Sequence, residues 1–234
     1  MKNKIIGLSI GIFVSLVIVI IISILVSNSG GAPLNIDIAI RDFFYSIRGE
    51  KNGIIYYLFR IITDFGYIYA AIITIIIVLI LTRGNNKTVA YILGILLMIL
   101  INYVIKDIYS RERPLKGYRW MVETDTSYPS GHSTTIGFIG TYFIFLFYDS
   151  NYKKVFKIIC YVTSGLLMLL VPISRLVLGM HYFTDILSGL SCGILVGLLM
   201  VLFTIFLKKI GVLEKPLFDM IVDYFKNKKN KDIE

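Results

Sequence analysis

Charge is scarce in this chain of 234 residues, of which only 17% are Asp, Glu, Lys or Arg. A soluble globular domain carries about 25%. Hydrophobic residues make up 56%, and the mean hydropathy is +0.78. This combination excludes a disordered chain, a coiled coil and an ordinary water-soluble enzyme. Cysteine is scarcer still. Cys160 and Cys192 both lie in apolar runs, which argues against a disulfide framework and gives no thiolate ligand spacing. The two histidines, His132 and His181, and the scattered carboxylates also lack the clustered spacing of a metal site, so no metal and no cofactor are expected. No long internal repeat or low-complexity segment appears, and the length suits one domain, residues 1–234.

What the chain does have is apolar length. A bilayer core about 30 Å thick needs about 20 apolar residues of helix. Six runs reach or approach this: 5–26, 65–82, 88–105, 133–148, 156–173 and 186–207. The expected fold is all-α, a polytopic membrane helical bundle with six transmembrane helices and interfacial helices. The first run follows Lys2 and Lys4 as a signal peptide would, but it is too long and lacks an A-x-A cleavage site, so it reads as an uncleaved anchor. Two stretches look amphipathic. In 35–49, Ile36, Ile40, Phe43, Phe44 and Ile47 share one face, with Asp37, Arg41 and Arg48 elsewhere. After Pro216, residues Leu217, Met220, Ile221, Tyr224 and Phe225 do the same. Both read as helices lying in the membrane interface.

The formal charge is +9, from 24 basic against 15 acidic residues. With both termini cytoplasmic, fourteen basic residues fall inside, seven of them in the tail 208–234, and ten fall outside. The positive-inside rule supports this orientation in a plasma membrane. The sequon Asn86-Lys-Thr88 then lies inside, which suits a bacterial membrane. Gly189, Gly193 and Gly197 recur every four residues, a spacing that lets helix backbones approach. Packing within the bundle is the expectation, and a homodimer seam is the alternative. Tyr118, Trp120 and Tyr128 are placed at the membrane interface as anchors, with substrate contact as the alternative.

The ten outside basic residues need a reason. Three clusters sit at the outer ends of the runs. They are Lys106 to Arg113-Pro114, then Pro129-Ser130-Gly131-His132, then Ser174-Arg175 through His181 to Asp185. Lys106, Arg113 and Arg175 supply three cations, and arginine presents a planar fork suited to phosphate oxygens. Arg175 wants an anion, for which the nearby sequence offers only Asp185. Ser130 and Gly131 precede a helix start, where free backbone N–H groups bind anions. His181 and Asp185 are four apart and share a helix face, so the carboxylate can fix the imidazole tautomer and leave the other nitrogen free to attack. His132 can then protonate the leaving oxygen. Nucleic acid, the usual partner of a basic chain, drops out because these charges surround two histidines at a lipid surface.

The three clusters resemble the signature of the type 2 phosphatidic acid phosphatase superfamily, K-x6-R-P, P-S-G-H and S-R-x5-H-x3-D. All eleven fixed positions match: Lys106, Arg113, Pro114, Pro129, Ser130, Gly131, His132, Ser174, Arg175, His181 and Asp185. The signature spans 106–185. The resemblance implies a helical-bundle membrane enzyme with a phosphohistidine intermediate on His181, protonation by His132 and no metal requirement. It implies that Lys106, Arg113, Ser130, Gly131 and Arg175 hold the phosphate. Soluble vanadium-dependent haloperoxidases resemble the same constellation, but six lipid-length runs argue against that branch. The expected substrate is a lipid phosphate in the outer leaflet, undecaprenyl diphosphate first and phosphatidylglycerophosphate or phosphatidic acid as alternatives. A protein that binds or translocates lipid phosphates without turnover is the competing class. The residues between the first two runs could cover the site or steer lipid access, and the sequence leaves that open.

Overall fold

The computed structural model describes residues 2–213 and 215–231, with side chains described for 5–213 and 215–226. The side-chain charges of Lys2, Lys4, Lys228, Lys229 and Lys231, and all of 232–234, lie outside the described part, as does that share of the expected charge bias. Nine α-helices are described: α1 Lys2–Asn28, α2 Asn35–Ile47, α3 Ile54–Asp64, α4 Ile68–Thr82, α5 Asn86–Tyr109, α6 Gly131–Tyr148, α7 Lys154–Val177, α8 Phe183–Lys209 and α9 Leu217–Lys231. No strand occurs among the described residues.

The apolar runs become helices as expected, but not six equivalent spans. Helices α1, α5, α7 and α8 are long and apolar enough to cross a membrane. Helices α3 and α4, bent by 48° at their break, pass only as a pair and bring the count to five. The remaining run is α6, whose 18 residues begin Gly-His-Ser-Thr-Thr. That polar start lowers its hydropathy, and most of its side chains are buried against neighbouring helices rather than turned to lipid. Helix α3 was not expected, because Arg60 and Asp64 interrupt its apolar pattern.

Helix α6 is the axis of the bundle. It packs chiefly on α8 and α7, while α1 and α5 close on α8 from other sides. Lipid tails are as apolar as leucine, so the seam must come from close approach and interhelical hydrogen bonds. The glycine stripe of α8 supplies the approach. A Cβ on Gly193 would lie 2.1 Å from the Thr134 carbonyl oxygen, and one on Gly189 would lie 2.5 Å from that of Ser130. The stripe is therefore spent on α6 of the same chain and does not face a second copy. Buried hydroxyls add the rest. Tyr142 shares a hydrogen bond with Thr204 at 2.9 Å, and Tyr128 shares them with Ser188 at 2.7 Å and Ser23 at 2.8 Å.

One expectation is reversed. Tyr128 and Trp120 are buried, not surface anchors; Tyr128 ties α1 to α8, and Trp120 lies under the Arg48 guanidinium at 4.2 Å. Helix α2 keeps the two faces expected of it, with the apolar one turned outward. Asp37 and Arg48 are buried, whereas Ile36, Phe43 and Ile47 are about half exposed. In a bilayer the outward face is the apolar one, and polar side chains turn inward to find partners. The structure thus keeps α2 and α9 as helices with exposed apolar faces.

The α6–α8 seam yields a stability prediction. Gly193→Val should destabilise the protein by about 1–3 kcal/mol through overpacking against backbone. Gly165→Ala in α7, where a Cβ meets nothing within 4 Å, should leave stability unchanged or raise it slightly. Melting curves in detergent measure both, and equal losses would refute the seam.

Candidate active site

One end of the bundle gathers the chemistry. Lys106 sits in the last turn of α5, Ser130 caps the start of α6, Arg175 lies in the last turn of α7, and Asp185 is in the first turn of α8. Local geometry explains the spacing between Arg175 and His181. Helix α7 ends at Val177, and Gly179 takes a φ of +68°. Gly179 N–H donates to Leu176 O and Met180 N–H to Arg175 O, each at 2.9 Å. These two bonds form a glycine C-cap that reverses the chain. A Cβ at Gly179 would fall 1.9 Å from the Tyr118 carbonyl oxygen, so only glycine fits. The reversal drops His181 back towards the helix end that carries Arg175.

His181 is buried, and its two nitrogens are distinct. An Arg113 Nη1–H donates to Nε2 at 3.0 Å. Arginine has no acceptor, so Nε2 holds the lone pair and Nδ1 holds the proton. Nδ1 faces Asp185 Oδ2 at 3.6 Å and Ser127 Oγ at 3.4 Å. The expected direct bond to Asp185 is therefore long, because the Ser127 hydroxyl donates to the same carboxylate oxygen. Burial, then the charges of Arg113, Arg175 and Lys106, hold His181 well below the usual imidazole range, and Asp125 opposes them. His181 is accordingly neutral at pH 7.

The three expected cations converge, but Arg175 does not pair with Asp185. It is fully buried, donates to Thr63 Oγ1 at 2.9 Å, and pairs with Glu123. Asp185 is taken instead by Arg111 Nη1 at 2.6 Å. Arg113 reaches Glu123 and Asp125, each at 2.6 Å, and Lys106 reaches Asp125 at 3.0 Å. Two carboxylates from the loop before α6 thus pair with all three cations and leave the cradle with one net positive charge. Burial alone would raise the Asp125 carboxyl, but Arg113 and Lys106 outweigh it and pull it down to about 2. That ion pairing is intact above the ordinary carboxylate range and is lost only as pH falls towards 2.

Among the described residues, three buried side-chain atoms have no hydrogen-bond partner: His132 Nε2 and Arg175 Nε at the site, and Arg119 Nε in the loop before α6. Buried polar atoms rarely stay unpaired in a native fold. The first-turn amides of Gly131 and His132 also have no intrahelical acceptor. Tyr67 holds His132 edge-on at 4.2 Å, and the α3–α4 break approaches so closely that a Cβ on Gly66 would lie 2.8 Å from His132 Cβ. The Ser130 amide is not free, since it donates to Asp185 O at 3.1 Å. Among the described residues no three His, Cys, Asp or Glu side chains group as metal ligands.

Sequence reasoning missed Asp37, Thr63, Arg111, Glu123, Asp125 and Ser127. Arg111 lies between Lys106 and Arg113 and had the same signal, a cation at the end of an apolar run. Glu123 and Asp125 stand in an irregular loop with no period to expose them.

Buried cations and two histidines at one end of an apolar helical bundle define an integral-membrane protein with an anion-accepting site. The sequence model described as the PAP2 superfamily matches residues 87–209, just over half of the chain, and the chain belongs to that family. It is similar to a solved structure described as a transmembrane PAP2-type phosphatidylglycerolphosphate phosphatase from Bacillus subtilis. The TM-score is 0.65 and the identity 25%, covering 82% of this chain and 94% of that one. It is also 37% identical over 102 residues to phosphatidylglycerophosphatase B of Bacillus subtilis strain 168. That match takes in 41% of this chain and 47% of the relative, so the chain spans about half the length of the curated relative. The resemblance read from the three clusters is thereby borne out.

Because Glu123 and Asp125 occupy the cradle, they compete with any incoming anion. Glu123→Gln keeps the shape and removes one competing charge. It should tighten binding of orthovanadate, a phosphate mimic, by roughly three- to tenfold, about 1 kcal/mol, the Coulomb energy of two charges about 4 Å apart at the fully screened limit of water. Isothermal titration in detergent measures this, and weaker binding would contradict it.

Proposed function

We propose that this chain is a membrane lipid phosphatase that transfers a phosphoryl group to His181 Nε2 and then to water. The observation that carries the reading is the neutral, buried His181, with its lone pair under Arg113 and its proton towards Asp185. Phosphate oxygens replace Glu123 and Asp125 on Lys106, Arg113 and Arg175. The freed Arg113 uncovers Nε2. Nε2 then bonds to phosphorus as the bond to the lipid oxygen breaks, and the cations stabilise the equatorial oxygens. His132 Nε2 supplies the proton to the leaving oxygen. In the second half, water attacks phosphorus, the P–N bond breaks, and His132 takes the water's proton. Lipid alcohol and inorganic phosphate are the products. The Gly131 and His132 amides hold one phosphate oxygen at the start of α6.

The substrate reading shifts from the one the sequence suggested. Both relatives are named for phosphatidylglycerophosphate, which favours a glycerophospholipid phosphate over undecaprenyl diphosphate. An apolar groove of about 550 Å³ between α2, α7 and α8 supports a lipid. Its lining includes Leu176, next to Arg175, and Phe183 and Ile186, which flank Asp185 in sequence. In this reading the site lies on the outer face of the plasma membrane and both termini are cytoplasmic, which the bias of basic residues in the sequence supports. Labelling Lys116→Cys from outside intact cells should succeed, and protection from outside would reverse the orientation.

The test is phosphate release by purified protein from phosphatidylglycerophosphate, phosphatidic acid and undecaprenyl diphosphate, with a chelator present. His181→Ala should lose at least about 10³-fold in turnover, as when a nucleophile is removed. Undiminished turnover in that variant, or activity that needs added magnesium, would overturn the reading. The pH dependence has a definite sign. His181 stays neutral below the ordinary value of 6.5, so the acid limb of kcat/KM should lie well under that pH. The unfolded chain takes up this proton from 6.5 downwards, so the same group favours unfolding as the pH falls.

A further inference from the structure

Helix α2 lies outside the family-matched segment, and it brings a carboxylate to the site. Asp37 is the third residue of α2, and Asp185 is the third residue of α8. Each accepts from the amide just before its helix, Asp37 from Leu34 N–H at 3.1 Å and Asp185 from Tyr182 N–H at 2.8 Å. A carboxylate in this position closes a helix start and lies favourably in the helix dipole. The two helix starts meet at one guanidinium. Arg111 donates through Nη2 to Asp37 at 2.8 Å and through Nη1 to Asp185 at 2.6 Å. All three side chains are fully buried.

Arg111 has nothing left for a substrate. Its Nε donates to Gly31 O at 3.1 Å, Nη1 also to Thr184 Oγ1 at 2.8 Å, and Nη2 also to Ala32 O at 3.2 Å. Asp37 is equally committed, taking the Thr184 amide at 2.9 Å and the Thr184 hydroxyl. Neither residue touches the cradle of Lys106, Arg113 and Arg175. What they control is Asp185. With Oδ1 pinned by Arg111 and Oδ2 held by Tyr182 N–H and Ser127, the carboxylate has one orientation, and Oδ2 faces His181 Nδ1.

We propose that Arg111 and Asp37 are positioning residues for the hydrolytic reaction, setting the orientation and net charge of Asp185 so that the Nδ1 proton of His181 stays in place. The proposal rests on the phosphatase reading above. It gives the segment between α1 and α3 a role in the chemistry, beyond covering the bundle. Arg111 neutralises one of two buried carboxylates, so the triad carries a single negative charge towards His181. That charge favours the imidazolium, and changing it moves the nucleophile's titration.

The two partners therefore act in opposite directions. Asp37→Asn removes a negative charge and should move the acid limb of kcat/KM to lower pH by about half to one unit. Arg111→Met uncovers a second carboxylate and should move the limb to higher pH. The other charged and titratable neighbours of His181 do not change between variants. They are Lys106 on α5, Arg113 and Asp125 in the loop, His132 on α6 and Arg175 on α7, with Glu123 on the two arginines.

The experiment is a pH profile of phosphate release from phosphatidic acid vesicles for wild type, Asp37→Asn, Arg111→Met and Arg111→Lys. The first two variants should lose about tenfold or more in kcat with KM within about twofold, the pattern of an outer partner that orients a reacting group. Arg111→Lys should recover part of the loss. If Arg111→Met does not fold, the downward shift of Asp37→Asn decides. Unshifted limbs with lower yield of folded protein would reduce the pair to a structural clip and overturn the proposal. His181→Ala separates the two levels. Wild-type turnover there sinks the phosphatase reading, whereas an inactive His181→Ala beside a fully active Asp37→Asn sinks only this inference.

Discussion

Positive charge kept dry at one end of a membrane bundle is the constraint on which the rest depends. Arg175 and Arg113 are buried and Lys106 is mostly so, all around one imidazole. A cation out of water must be neutralised or its burial is ruinous. The chain supplies the anions itself, Glu123 and Asp125 from one loop. Burial first, and then the same cations, hold His181 well below the usual imidazole range, which favours the unprotonated state a nucleophile needs. In the proposed reaction a phosphate group satisfies these cations and meets His132 Nε2 and Arg175 Nε, which have no partner.

The bundle exists to hold that end together. Helix α6 must start beside Asp185, because the Ser130 amide donates to the Asp185 carbonyl. It can do so only because Gly189 and Gly193 let the α6 backbone close on α8. The glycine C-cap at Gly179 sets His181 against Arg175. Thr63 of α3 and Tyr67 at the following bend then hold Arg175 and His132. The N-terminal third, outside the family-matched segment, reaches the centre of the site three times, through Asp37, Thr63 and Tyr67.

The legible part of the site is the part with local geometry. Ser174 to Asp185 encodes a helix end, a glycine reversal and a helix start, so its spacing carries over directly into space. Ser130 and His132 are likewise fixed by one helix start. Arg175 was harder, since its counter-ion Glu123 is 52 residues away and no pattern links them. Asp37 was not legible as a neighbour of the site for a physical reason. An amphipathic period tells two faces apart, but which face is inward depends on whether the solvent is water or lipid. In this bundle Ile36 and Phe43 face out and Asp37 faces in. Helix α6 differs from the other apolar runs because it is shielded by protein and carries a polar first turn that a lipid-facing span would not.

The central claim is that phosphorus bonds transiently to His181. The most direct measurement is rapid denaturing quench of the protein during turnover of a lipid substrate labelled in its phosphate, followed by mapping of the labelled residue. The account predicts an alkali-stable, acid-labile phosphoryl group on His181, absent from His181→Ala. Label on another residue, or turnover at the wild-type rate with no label on His181 when its breakdown is slowed, would contradict it.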